Sequence, residues 1–191
     1  MQRLTAIAAA AAALALAGCA TAPAPAAHAT PQLRLAPALL GRPLNLQQHL
    51  TLRAPARNQQ LDVLLEADAR HVQLGLVAMG QVAARLDWDG TTLTESRAPW
   101  WPQEVSGARI LSDLQLTLWP VDAIQAALPS GWRLVEDGDV RTLTQDGQVV
   151  AVITRLGPLS ALFDQQREHF QLRIESRDLG NDAAAASDNP T

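Results

Sequence analysis

The chain has 191 residues, a single cysteine and a formal net charge of −4 at neutral pH, and its fifteen basic residues are all arginine. The dispersed acidic charge argues against nucleic acid as a partner, and one cysteine excludes a disulfide within the chain. The length is that of one domain, which is large enough to bury a substantial core.

Residues 1–18 predict an export signal. Arg3 precedes an Ala- and Leu-rich run over residues 4–16, which is typical of a secretory signal and too short to span a bilayer. The run leads into Leu-Ala-Gly-Cys, ending at Cys19, which resembles the lipobox of bacterial lipoproteins at all four positions. That resemblance implies cleavage before Cys19 and firm anchoring through lipid on it, since two or more acyl chains hold stably. The alternative is an ordinary cleaved signal followed by a lone buried cysteine.

The residues that flank the predicted domain are of low complexity. Residues 19–32 are rich in Ala, Pro and Thr and predict a lipidated, flexible tether. Residues 180–191 are rich in Ala, Asp, Asn and Ser and predict a disordered tail. The folded domain is therefore expected over residues 33–179. Ala20 rather than Asp follows the cysteine, which in the enterobacterial sorting rule favours the outer membrane, with the domain facing the periplasm.

Alternation of apolar and polar residues predicts strands in the first half of the domain. Met79-Gly80 and Asp89-Gly90 are turn signals, and the second is a strong signal for a hairpin. The five predicted strands occupy residues 46–52, 61–67, 72–78, 82–88 and 91–96. Together they indicate an antiparallel meander.

The period changes in the middle of the chain. Ile110, Leu111, Leu114 and Leu118 recur at helical spacing, and Pro120 suits the first turn of a second helix. Strands return over residues 132–136, 140–145, 148–155 and 170–177, with a tight turn at Asp146-Gly147. The predicted fold class is therefore mainly β with a helical insertion (α+β).

Three segments carry a resemblance to a known family. Residues 114–120 (LQLTLWP), 128–132 (LPSGW) and 141–143 (RTL) resemble an uncharacterised family of Gram-negative outer-membrane lipoproteins, often encoded beside aryl-polyene biosynthesis genes. The order of elements is also similar to that of the lipoprotein carrier and receptor of the Lol pathway (LolA and LolB). The resemblance implies a half-open antiparallel β-barrel covered by helices, whose hollow holds acyl chains.

The helical insertion is interpreted as the lid of such a cavity. The candidate cavity and lid residues are Leu114, Leu118, Trp119 and Ile124. They are among the apolar residues of a segment whose period departs from that of the strands around it. A hollow barrel would need apolar residues of this kind facing inward.

Two further positions are candidate contacts for membrane or cargo. The Lol receptor carries an exposed apolar residue on a loop between two early strands, and Met79 occupies a comparable place; the alternative is a plain hairpin tip. Trp100 and Trp101 lie between two prolines, which is typical of a surface loop. Their indoles suit the rim of a lipid cavity or a membrane interface, and the alternative is core packing at the mouth of the barrel.

The sequence contains no motif of a known catalytic site. Glu168 and His169 are placed at the last strand, with His169 on its polar face, where an exposed position is the simplest interpretation. No cluster of His, Cys, Asp or Glu has the spacing of a metal site. The sequence therefore predicts no enzyme, no metal and no cofactor beyond the covalent lipid on Cys19.

Three functions remain open at this point. The first is a membrane-anchored lipoprotein that binds or transfers a lipid, with an acyl or polyene chain as cargo. Its expected partners are membrane lipid and an envelope transporter or the lipoprotein-sorting machinery. The second is a structural or assembly lipoprotein with a filled core that binds protein partners by a strand edge. The third, a hydrolase with a scattered triad, has no motif to support it.

Overall fold

The computed structural model describes residues 30–180. The export signal predicted over residues 1–18, Cys19, most of the predicted tether and the tail after Gly180 lie outside the described residues. Within residues 30–180, no helix has both the length and the apolar character needed to cross a membrane.

One antiparallel sheet of ten strands makes up most of the described chain. The strands are β1 (Leu44–Ala54), β2 (Arg57–Ala67), β3 (Val72–Ala78), β4 (Gln81–Trp88), β5 (Leu93–Arg97), β6 (Trp132–Asp137), β7 (Val140–Gln145), β8 (Gln148–Gly157), β9 (Ser160–Gln165) and β10 (Phe170–Asp178). Two helices, α1 (Gly107–Leu118) and α2 (Val121–Ala127), connect β5 to β6, and a short 3-10 helix spans Pro37–Leu40.

The sheet is not closed. Its order is β5-β4-β3-β2-β1-β10-β9-β8-β7-β6, so β5 and β6 form the two edges and the helices run between them. Each half is a meander of neighbouring strands, and the pairing of β1 with β10 joins the two halves. This architecture confirms the predicted class of a mainly β fold with a helical insertion.

Local turn chemistry explains two of the hairpins. Met79-Gly80 and Asp146-Gly147 take positive φ at both positions, which is the geometry that matches the twist of a two-residue hairpin. The loop at Asp89 is longer than expected, since β4 ends at Trp88 and β5 begins at Leu93. There the Asp89 carboxylate accepts hydrogen bonds of 2.7 Å from the backbone N–H groups of Thr91 and Thr92, so the side chain itself organises a four-residue turn.

The segment before β1 crosses helix α1 and is called the strap (residues 30–36). Gln115 on α1 holds Leu35 at both backbone groups: Leu35 N–H donates to Gln115 Oε1 and Gln115 Nε2 donates to Leu35 O, each at 3.0 Å. Ser112 accepts from Leu33 N–H and donates to Pro31 O. These bonds satisfy extended backbone that has no strand partner.

The filled core lies between the strap, β3, β4, β7, β8 and the helices. Its largest side chains with almost no exposed area include Trp88, Trp119, Leu111, Leu116, Ile124, Leu143 and Ile153. The indole N–H of Trp88 donates to Leu35 O at 2.8 Å, which ties the strap to the sheet as well as to α1. The strap, the sheet and α1 are thus held together on this side of the helix.

Candidate functional site: a cavity under helix α1

A cavity of about 1090 Å³ lies between α1 and the inward faces of β1, β2 and β10. This volume slightly exceeds the range of roughly 300–1,000 Å³ for small-molecule pockets. Partly exposed apolar side chains line it, among them Leu50, Ile110, Leu114, Leu118, Phe170 and Leu172. They are only partly buried although they point inward, because no protein atoms occupy the space in front of them.

The cavity is long. Its lining includes the inward-facing residues of β1 from Leu44 at one end of the strand to Ala54 at the other. An eleven-residue strand spans about 35 Å, whereas the apolar part of one membrane leaflet is about 15 Å, half of the hydrocarbon core. The apolar floor is therefore longer than one acyl chain in a leaflet.

Three charged side chains in the cavity wall form a group called the charged cluster: Arg109 and Asp113 of α1, and Glu168 from the turn before β10. The guanidinium of Arg109 donates from Nε to Asp113 Oδ2 at 2.8 Å and from Nη1 to Glu168 Oε1 at 2.6 Å. Thr30 of the strap also donates to Glu168 Oε1, at 3.2 Å. The cluster therefore links α1, the turn before β10 and the strap.

The charged cluster is incompletely hydrogen-bonded. Arg109 Nη2 and Asp113 Oδ1 have no exposed area and no hydrogen-bond partner. Burial, which penalises the charged form, raises the pKa of Asp113 to about 6; the positive charge of Arg109 opposes this shift and the negative charge of Glu168 adds to it. Buried polar atoms without partners are rare and need a structural or functional reason.

The structure divides the predicted lid residues into two groups. Leu114 and Leu118 line the cavity. Trp119 and Ile124 do not, contrary to the expectation, because each is fully buried in the filled core. Trp119 also donates from Nε1 to Ala36 O of the strap at 3.3 Å. Its role is to close the core at the end of α1.

The three residues predicted to contact membrane or cargo also fall into two groups, exposed and buried. The side chain of Met79 is 82% exposed and that of Trp100 is 40% exposed. Trp101 is only 6% exposed, lines the cavity, and donates from Nε1 to Val105 O at 3.0 Å. Trp101 therefore lies in the cavity wall, where its indole packs inward with its N–H satisfied.

Met79 and Trp100 belong to one end of the sheet. Val82, at the start of β4, is exposed beside the β3–β4 turn that carries Met79. Ala98 N–H donates to Ala83 O at 2.9 Å, which draws the loop bearing Trp100 against the start of the same strand. We call the exposed side chains of Met79, Val82 and Trp100 the apolar tip.

The sequence analysis expected Glu168 and His169 on the last strand, but the structure places them outside it. Both lie in the turn before Phe170, and His169 takes a positive φ of 56°. Glu168 then pairs with Arg109 instead of pointing to solvent. Sequence reasoning missed Arg109 and Asp113; the available signal was their opposite charge at a spacing of four on a predicted helix, which is common on ordinary exposed helices.

A further arginine fixes the end of α1. Arg141 on β7 donates from Nη1 to the backbone oxygens of Leu116, Thr117 and Trp119, at 3.0, 3.1 and 2.8 Å. Its Nε donates to Glu136 at 2.5 Å. A cation at a helix C-terminus satisfies carbonyls that have no partner within the helix and complements the dipole. Arg141 thereby holds the cavity-lining helix against the second meander.

No three His, Cys, Asp or Glu side chains within residues 30–180 converge closely enough to hold a metal ion. The two carboxylates of the charged cluster are instead joined by the guanidinium of Arg109. The cavity thus offers apolar contact together with polar side chains, including those of the charged cluster, as its binding chemistry.

Comparison with known proteins identifies a family. A family model described as "Protein of unknown function (DUF3261)" covers residues 45–178. No curated protein matches the chain. The matched residues run from β1 to β10 and include both helices, the charged cluster and nearly all of the cavity lining. The chain therefore belongs to this family of unknown function.

Proposed function

We propose that the protein is a membrane-anchored lipoprotein that binds or transfers a lipid or acyl-like chain in the cell envelope. The observation that carries the proposal is the cavity of about 1090 Å³ with its partly exposed apolar lining. Apolar surface left in contact with water costs about 25 cal/mol per Å². A long apolar chain would remove that cost along the length of β1.

The architecture supports a carrier over a scaffold. An unclosed antiparallel sheet with helices between its edges is compatible with the half-open barrel of the Lol carrier and receptor. The alternative, an assembly lipoprotein with a filled core, leaves this cavity without a role. Fold likeness alone does not establish function, whereas the cavity provides the space that a bound chain would fill.

The anchor and the apolar tip supply the two contacts with membrane that a carrier needs. Lipid on Cys19 would tether the domain, and the apolar tip would touch a bilayer or cargo at the end of the sheet where α1 begins. Cys19→Ser should abolish labelling by a clickable fatty acid, and full labelling of that variant would overturn the anchor.

Met79→Glu should leave the thermal midpoint unchanged and slow lipid transfer to vesicles. Normal transfer by a folded Met79→Glu protein would show that the apolar tip has no part in the mechanism.

Binding in the cavity is tested with the full chain carrying Cys19→Ser. Lipid extracted from the purified protein should be detected by mass spectrometry, and an apolar dye such as N-phenylnaphthylamine should bind and be displaced by lipid extract. Leu118→Arg places a charge in the cavity wall and should weaken dye binding at least about tenfold. Its matched control is Leu64→Arg on the outer face of β2, where Leu64 is 55% exposed.

The control separates loss of the cavity from loss of the fold. Leu64→Arg should bind the dye as the parent does, since its side chain is outside the cavity. Unchanged affinity in a folded Leu118→Arg protein, together with no co-purified lipid, would reject the carrier and favour the scaffold.

A further inference from the structure

We infer that the charged cluster is the subsite for an uncharged polar group on the bound chain, a group that both donates and accepts hydrogen bonds, such as a hydroxyl or a primary amide. The inference depends on the proposed function and specifies its ligand class. It begins from the contrast between the cluster and the apolar wall around it, where Phe170 and Ile110 are neighbours of the ion pairs.

The two atoms without hydrogen-bond partners indicate which chemical group would complete the charged cluster. Arg109 Nη2 can only donate a hydrogen bond, and an ionised Asp113 Oδ1 can only accept one. A partner that satisfies both must therefore accept from the first and donate to the second. Hydroxyl and primary amide groups do both, whereas a carboxylate or phosphate ester can only accept and an ammonium can only donate.

The net charge of the cluster excludes the same ionic groups. One guanidinium faces two carboxylates, those of Asp113 and Glu168. A bound anion would add a third negative charge at short range in a site of reduced dielectric. A bound cation would lie against the guanidinium of Arg109. A neutral group meets neither penalty.

The unpaired atoms lie just beneath the cavity surface. The side chains of Arg109 and Asp113 are each 20% exposed and line the cavity, although the two atoms themselves have no exposed area. Only Oδ2 of the Asp113 carboxylate is held by Arg109, so Oδ1 is left for a ligand. The cluster is thereby able to meet a group carried in by an apolar chain.

The test compares three ligands of equal chain length: dodecanol, dodecanamide and dodecanoate. Each displaces N-phenylnaphthylamine from the Cys19→Ser full chain at about pH 8, where Asp113 is ionised because its pKa is about 6. We expect the alcohol and the amide to displace the dye at concentrations at least about tenfold lower than the carboxylate. A tenfold preference corresponds to about 1.4 kcal/mol, within the range for hydrogen bonds to charged groups.

Two variants locate that preference. Asp113→Asn and Glu168→Gln each remove one negative charge, so both should bring the carboxylate within about threefold of the alcohol. Glu168 is partly exposed, so its replacement keeps the test valid even where Asp113→Asn fails to fold. Asp137→Asn removes an exposed carboxylate of β6 outside the cavity and should leave the preference unchanged.

The outcomes separate the two proposals. Equal displacement by all three ligands, or a preference that survives in both cluster variants, overturns this inference and leaves the carrier intact. A preference lost equally in Asp137→Asn also overturns it, since the effect would then be one of overall charge. Failure of every ligand, with no dye bound, overturns the carrier and the subsite together.

Discussion

The two sides of helix α1 differ in packing although both are rich in leucine. Leu111, Ser112, Gln115 and Leu116 face the strap and the filled core, and all four are buried. Arg109, Ile110, Asp113, Leu114, Thr117 and Leu118 line the cavity. With 3.6 residues per turn these sets occupy opposite halves of the helix.

The difference shows that one side of α1 serves the stability of the fold and the other side is available for binding. On the buried side, polar groups such as those of Gln115 and Ser112 are hydrogen-bonded to the strap. On the cavity side, apolar surface is partly exposed and two polar atoms have no partner. The first side therefore stabilises the fold, and the second leaves interactions for a ligand to make.

A leucine pair tests that division with the largest expected effect. Leu111→Ala creates a void in a packed core and should lower the free energy of unfolding by about 2–5 kcal/mol. Leu114→Ala removes a side chain that already borders open space, and should cost about 1 kcal/mol or less. Urea unfolding of the two variants measures the difference. Equal losses would show that the two halves of α1 are packed alike.

Gln115→Ala probes the polar bonds on the buried side. The change leaves Leu35 N–H without its acceptor, while Leu35 O keeps the indole N–H of Trp88. An unsatisfied buried group costs about 1–3 kcal/mol, so the free energy of unfolding should fall by that amount. Thr117→Ala, on the cavity half, is the comparison and should cost less. A loss in Gln115→Ala no larger than in Thr117→Ala would mean that the strap contributes little.

Asp113 gives the smallest and most specific effect, which is a dependence on pH. Its pKa of about 6 in the folded protein is above the value of about 3.9 for an unperturbed aspartate, so the folded state binds the proton more tightly. The contribution of Asp113 to stability should therefore be fully present below about pH 4 and be lost as pH rises through about 6. Asp113→Asn should lack this part of the decline, as measured by urea unfolding at several pH values, and Asp137→Asn should retain it. An unchanged slope in Asp113→Asn would contradict the perturbed carboxyl.

Most of the sheet could be predicted from alternation, and the exception has a physical cause. Strand β9 was missed because Leu162 adds an apolar residue on the side opposite Ala161 and Phe163, and because Gln165 is a buried polar residue at the inward position. Alternation signals a strand only where one face is apolar and the other polar. Where both faces carry apolar as well as polar residues, a strand cannot be identified from the alternation of its own residues.

The cavity could not be predicted in the same way. Leu111 and Leu114 are indistinguishable by residue type and periodicity, yet the first is in the core and the second borders the cavity. The difference arises from the strap, which covers only one side of the helix. The charged cluster could not be predicted from the sequence because Arg109 and Glu168 are 59 residues apart and come into contact only in the complete fold.

The ladder between β1 and β10 sets the order in which this molecule can fold. It pairs Leu46 with Asp178 at one end and Arg53 with Gln171 at the other, and Gln48 bonds to Ser176 across 128 residues. Hairpins within each meander are local and close early, whereas such distant pairing is slow because loop entropy is lost first. A chain interrupted before its last strand would hold the complete first meander and an incomplete second one, with β1 as an exposed edge that is prone to association with other chains. Since β1 and β10 are also the floor of the cavity, the capacity to bind arises only in the final folding step.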